Sequence, residues 1–120
     1  MKPEDLLSAI TTALEDGKVQ DLTVIDVHDK TNIADFMVIG SGTSRRHLQS
    51  LVDRVDEHLS KLGREPLGRE GDATSDWVLI DYADVLVHVM LPEARLYYDL
   101  EQLWTASVRP DSGADSTSQL

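Results

Sequence analysis

The sequence predicts a single α/β domain in which helices pack on a mixed β-sheet. Its 120 residues suit one domain of ordinary size. Hydrophobic residues make up 41% of the chain, which is enough to form a core. Segments with helical periodicity alternate with short apolar segments of strand length. We therefore expect residues 1–105 to form the folded domain, followed by a disordered polar tail over residues 106–120.

Two amphipathic helices are predicted in the first half of the chain. Apolar residues recur at helical spacing from residue 3 to about residue 16, and Gly17 follows as a helix stop. Leucines and valines also fall on one helical face over residues 48–62, before Gly63. Each helix therefore presents one apolar face that must pack on the sheet.

The strands are predicted from apolar segments bounded by turn residues. Residues 22–27 and 35–39 predict two strands, and the second is nearly all apolar and so central. Residues 64–76 predict a loop with room for a short edge strand. A last helical segment is predicted from Pro92 towards Trp104.

Residues 77–81 and 84–90 predict a hairpin whose two loop residues are Tyr82 and Ala83. Antiparallel pairing then gives three pairs on one face: Asp81 with Asp84, Leu79 with Leu86, and Trp77 with His88. The other face is entirely aliphatic and predicts the side that the helices cover.

The mixed face of this hairpin has the composition of a binding surface. An aromatic anchor with aliphatic neighbours and a charged rim is typical of the residues that dominate interface energy. The same composition also fits a second interpretation, in which this face is not a binding surface for another protein. The last helix, or a second copy in a homodimer, then covers Trp77, and the aspartates lie at a solvated tip.

The composition excludes several classes of function. The net charge is −11, and residues 71–104 hold seven acidic side chains and one basic. Nucleic-acid binding depends on basic residues, so Arg45 and Arg46 suit at most a peripheral contact with RNA phosphates. The chain has no cysteine, which excludes disulfides and thiolate sites, and its histidines lack zinc-site spacing. The charged N-terminus and the lack of a long apolar run predict a cytoplasmic protein without a membrane segment.

The segment Gly40-Ser41-Gly42 offers the one enzymatic alternative. It lies between a strand and a helix N-terminus, where backbone N–H groups can hold an anion. A Mg²⁺-dependent nucleotidyltransferase-like enzyme would combine Ser41 with Asp81 and Asp84. We favour the structural interpretation, because glycines are the ordinary means of making a tight turn.

Several motifs together resemble the ribosomal silencing factor family, also called Iojap-like proteins. The longest runs extend from Asp35 to Leu48, through the glycine-serine segment, and from Asp76 to Met90, through the hairpin. Shorter matches occur at residues 66–68, 70–71, 97–101 and 103–104. The resemblance covers residues 3–104 and preserves the order of the motifs.

This resemblance implies a nucleotidyltransferase-like fold without transferase chemistry and without a cofactor. It implies binding to a basic protein of the large ribosomal subunit, of the L-fourteen class, and a steric block to small-subunit association that represses translation when nutrients are scarce. The partner-binding residues it implies here are Trp77, Asp81, Tyr82, Asp84, His88 and Met90. Ala83 replaces a glycine that is common in this turn, and the polar tail is not part of the family pattern.

Overall fold

A computed structural model describes residues 1–105 as four helices and five strands. In chain order these are α1 (Pro3–Asp16), β1 (Gln20–Asp26), β2 (Phe36–Ser41), α2 (Arg45–Lys61), β3 (Gly68–Glu70), β4 (Trp77–Asp81), β5 (Val85–Met90), α3 (Pro92–Tyr98) and α4 (Leu100–Thr105). The predicted polar tail, residues 106–120, lies outside the described residues.

The five strands form one mixed sheet in the order β1-β2-β5-β4-β3. β2 and β5 pair in parallel, and the other neighbours pair antiparallel. The expectation that the nearly all-apolar strand is central is correct, since β2 is buried from Met37 to Ser41. The short edge strand expected in the loop is β3.

The main core lies between α1, α2 and one face of the sheet. Leu6 and Ile10 of α1 and Leu51 of α2 are fully buried there. They pack over the aliphatic face that includes Val38 and Val87. Fully burying an aliphatic side chain contributes about 1.5–3 kcal/mol, so this layer supplies most of the hydrophobic stabilisation.

A second, smaller core occupies the opposite face of the sheet beneath α3 and α4. Its buried members include Met37, Ile39 and Met90, with Ala94 from α3 above them. The sequence predicts one continuous helical segment here, and that prediction is wrong. Asp99 has a left-handed backbone conformation with φ of +51°, which ends α3. The chain changes direction there, and α4 begins at the next residue.

Candidate protein-binding surface

The structure corrects the register of the β4–β5 hairpin. The observed pairs on the outer face are Trp77 with Met90, Leu79 with His88, and Asp81 with Leu86. The expected pairing of Asp81 with Asp84 is wrong, as is the turn at Tyr82 and Ala83. The two central turn residues are Ala83 and Asp84, because the Tyr82 N–H donates to the Val85 carbonyl at 3.0 Å.

Local geometry and burial together explain this turn. Ala83 has a φ of +72°, and its N–H donates to Oδ1 of Asp81 at 2.8 Å, so the aspartate side chain closes the turn. Because the register differs from the prediction by two residues, each side chain stays on the face where the sequence placed it. The mixed composition of the outer face is therefore confirmed.

Tyr82 is in the main core and not at the hairpin tip. Its side chain is fully buried, and its hydroxyl donates to Oδ1 of Asp56 at 3.4 Å. Burial raises the pKa of this phenol to about 12. The ring is therefore unavailable as a direct contact on the outer face, where the resemblance had placed it.

His88 and Met90 lie behind Trp77. Both are buried, and Met90 belongs to the second core. The Trp77 indole Nε1 donates to Nδ1 of His88 at 2.9 Å, so the neutral ring carries its proton on Nε2. Burial lowers the pKa of His88 to about 4. Among the described residues Nε2 has no hydrogen-bond partner. These two side chains thus support Trp77 from behind.

The accessible members of the predicted site are Trp77, Asp81 and Asp84, each partly buried. Leu79 and Leu86 lie between them on the outer face and are also partly buried. The structure therefore brings together an indole, two aliphatic side chains and two carboxylates.

The last helices cover part of this face, as the alternative interpretation expects. The rings of Trp77 and Tyr98 have centroids 4.7 Å apart and are tilted by 49°. Arg95 fastens α3 to the sheet by donating to Ser41 at 2.9 Å and to Thr23 at 3.1 Å. It also donates twice to the Glu101 carboxylate of α4, at 2.8 Å each.

Sequence reasoning missed the apolar side chains that these helices expose to solvent. Leu96 and Tyr97 are each 82% exposed, and Tyr98 and Leu103 are more than half exposed. The signal was present as adjacent apolar residues in the last helical segment, which exceed what one buried face can accommodate. Of these four, Tyr97 and Tyr98 line a cavity together with Trp77 and so extend the outer face.

The basic residues at the start of α2 differ in how free they are to contact RNA phosphates. Arg45 pairs with Asp76 at 2.5 Å. Both ring nitrogens of His47 have partners within the protein. Its Nδ1 accepts from the Thr43 N–H at 2.9 Å, and its Nε2 lies 2.8 Å from the Gly17 carbonyl oxygen. Arg46 is exposed and makes no ion pair within residues 1–105.

The structure does not bring together the residues of the enzymatic alternative. Ser41 is buried, accepts from Arg95, and pairs with Met90 at the end of β5. Asp84 precedes the start of that strand and is six residues from Met90, which is about 20 Å at ordinary strand rise. Gly40 and Gly42 serve packing, since an added Cβ would lie 2.5 Å from Val19 Cγ2 and 2.8 Å from Leu48 Cδ2, respectively. In the described part of the chain no group of three or more acidic or histidine side chains is placed to hold a metal ion.

None of the helices in residues 1–105 has both the length and the hydropathy needed to cross a bilayer.

Comparison with known proteins identifies relatives along almost the whole chain. Residues 1–119 match the family model described as ribosomal silencing factor during starvation. The ribosomal silencing factor RsfS of Chromobacterium violaceum is 38% identical over 104 residues, which cover 87% of this chain and 85% of that protein. The mouse protein called mitochondrial assembly of ribosomal large subunit protein 1 is 35% identical over 102 residues, or 82% of this chain and 45% of that protein.

Solved structures agree with the sequence relatives. A crystal structure of a Chromobacterium violaceum protein matches with a TM-score of 0.84 and 35% identity, covering 98% of this chain and 92% of the other. One from Bacillus halodurans matches with a TM-score of 0.77 and 32% identity, covering 84% and 94%. The expected α/β fold with a mixed sheet is thereby confirmed, and the chain belongs to the ribosomal silencing factor family.

Proposed function

We propose that this protein binds the large ribosomal subunit through a basic protein of the L-fourteen class and blocks association of the small subunit. Membership of the silencing-factor family supports a role on the ribosome. The name of the mouse relative refers to the large subunit, which favours that subunit as the target. The observation that carries the proposal is the outer face of β4 and β5, where Trp77 stands partly exposed among apolar side chains with carboxylates at the rim.

Trp77 is suited to be the anchor of this interface. Its ring is held by His88 on one side and by Tyr98 on the other, so little side-chain freedom remains to be lost on binding. Leu79 and Leu86 add apolar area next to it. Tryptophans in such settings are typical of interface residues that carry much of the affinity.

Charge favours a basic partner. The chain carries a net charge of −11, and Asp81 and Asp84 lie beside the apolar part of the face. Opposite charges at an interface rim raise the rate of encounter and disfavour acidic partners. A protein that itself binds ribosomal RNA has the required positive charge.

The effect of binding is steric and needs neither a catalytic residue nor a cofactor. A domain seated on the joining surface of the large subunit occupies space that the small subunit requires. This exclusion would repress translation in the cytoplasm, and the family description, which refers to starvation, favours nutrient limitation as the condition.

Two further contacts belong to this proposal. Arg46 is exposed and can reach RNA phosphates at the edge of the interface, whereas Arg45 would first have to leave Asp76. The same apolar face also suits a second copy of the chain, so a homodimer would compete with the ribosome.

Co-sedimentation with separated ribosomal subunits on sucrose gradients tests the proposal. We expect the protein to migrate with large subunits and to reduce the yield of joined ribosomes. Trp77→Ala should weaken binding by about 2 kcal/mol, roughly thirtyfold, as for a central aromatic anchor. Ile33→Ala, at a residue that is 69% exposed in the β1–β2 loop, is the matched control and should bind normally. Migration with small subunits alone, or with neither subunit, would refute the proposal.

A further inference from the structure

A cavity beside Trp77 has features that an apolar partner does not explain. It lies between the start of β4 and the exposed side of α3, and its volume is about 600 Å³. Trp77, Tyr97 and Tyr98 line it together with the carboxylates of Asp76 and Glu93. This size is within the range of ordinary ligand pockets, so a long side chain can enter it.

Three aromatic rings line this cavity in contact with one another. Trp77 and Tyr98 lie 4.7 Å apart between centroids, and Tyr97 meets Tyr98 edge-on at 5.0 Å. The only polar atom of the Trp77 side chain is already bonded to His88. The indole therefore has no free hydrogen-bond donor for a ligand, and what it adds to the cavity is its π system, which attracts cations.

The two carboxylates differ in their availability. Asp76 is paired with Arg45 at 2.5 Å and is thereby neutralised. Glu93 is exposed and forms no ion pair within residues 1–105. The uncompensated negative charge of the cavity is thus that of Glu93, next to three aromatic rings.

We propose that this cavity binds an arginine side chain of the partner protein, an inference that rests on the proposed function. A guanidinium is planar, stacks on aromatic faces and forms paired hydrogen bonds with a carboxylate. An ammonium group is more strongly hydrated and cannot stack, so lysine fits the same walls less well. Arginine is also enriched at protein interfaces.

Titration of the isolated protein with a capped amino acid tests the cavity itself. The probe is Nα-acetyl-arginine methylamide, followed by the NMR signals of the Trp77 indole N–H and of the tyrosine rings at constant ionic strength. The matched citrulline compound has nearly the same shape but no charge. We expect saturable shifts with the arginine compound and at least fivefold smaller shifts with citrulline. Equal shifts, or none at Trp77, would overturn the proposal.

Two substitutions that each remove one carboxylate test whether arginine binds at this cavity. Glu93→Gln should weaken arginine binding and reduce affinity for large subunits by roughly threefold to fivefold, the effect of an accessible ion pair. Glu15→Gln, at an exposed position of α1, removes the same charge and should change neither arginine binding nor affinity for large subunits. Equal effects of the two substitutions would mean that only net charge matters, and would overturn the proposal.

The two hypotheses fail separately. If Trp77→Ala weakens large-subunit binding by roughly thirtyfold while Glu93→Gln has no effect, the arginine cavity is wrong and the proposed function stands. If the wild-type protein does not migrate with large subunits, the proposed function is wrong, whatever the titration with the arginine compound shows.

Discussion

The indole Nε1 of Trp77 donates a hydrogen bond of 2.9 Å to Nδ1 of His88. Trp77 is partly exposed at the surface, and His88 is buried beneath it, so the bond connects the proposed interface to the second core. A ring that accepts through Nδ1 must be unprotonated there. The orientation of the surface tryptophan therefore depends on a buried histidine remaining neutral.

Because of this histidine, the free energy of unfolding should decrease as the pH is lowered. His88 takes up a proton near pH 6.5 when unfolded but only near pH 4 in the folded state, so acid favours the unfolded state. We expect a loss of about 2 kcal/mol between pH 7 and pH 5, measured by urea unfolding. His28 acts in the opposite direction, because Asp26 raises its pKa, but it is exposed to solvent and adds little.

His88→Gln is the control for this pH dependence. The variant has no titrating group at the position, so its stability should change much less over the same interval. An unchanged slope in His88→Gln would assign the effect to other groups.

Ala83→Gly should stabilise the hairpin. Ala83 has a φ of +72°, a conformation that costs an L-residue with a Cβ about 1 kcal/mol more than it costs glycine. Glycine also gains freedom in the unfolded chain, so the expected net increase is about 0.5 kcal/mol. The urea midpoint measures it. Ala83→Val, with a branched side chain at the same φ, should lower the midpoint, and a lower midpoint in Ala83→Gly would contradict the argument.

Removing the hairpin charges should slow association with large subunits. The double variant Asp81→Asn with Asp84→Asn keeps the side-chain oxygen that accepts from the Ala83 N–H, so the turn should persist. Rim charges act mainly on the encounter rate, so we expect association to slow severalfold at low salt and the difference to shrink at about 0.5 M salt. Association rates from stopped-flow mixing test this. A changed dissociation rate with unchanged association would show that the aspartates make direct contacts and do not steer encounter.

Arg95→Met should loosen α3 and α4 while leaving the sheet intact. The Arg95 side chain is only 11% exposed and bonds to Glu101, Ser41 and Thr23. The substitution removes the buried guanidinium and its two charge-assisted hydrogen bonds to the Glu101 carboxylate, which still accepts from Thr23 at 3.3 Å. We expect about 2 kcal/mol of destabilisation from this loss. Hydrogen exchange should quicken in residues 92–105 and stay slow in β2 and β5. Arg95→Lys should be intermediate, and uniformly faster exchange throughout the chain would contradict the local role.

Much of the candidate surface followed from residue types and spacing. The two-residue period of a strand assigns Trp77 and Leu79 to one face. Leu86 lies on the same face in both the expected and the observed register, because the two registers differ by two positions. Short stretches of sequence also predicted the two amphipathic helices, the central strand and the motifs that resemble the silencing-factor family.

Other features depended on packing between distant parts of the chain. Tyr82 joins the core only because the helices leave space for its ring and Asp56 of α2 lies within reach of its hydroxyl. The cavity beside Trp77 lies between the start of β4 and α3, and α3 is held on the sheet by the hydrogen bonds of Arg95 to β1 and β2. Periodicity reports which face a residue occupies, whereas register, caps and cavities are decided by contacts between segments far apart in sequence, and those contacts form only in the tertiary structure.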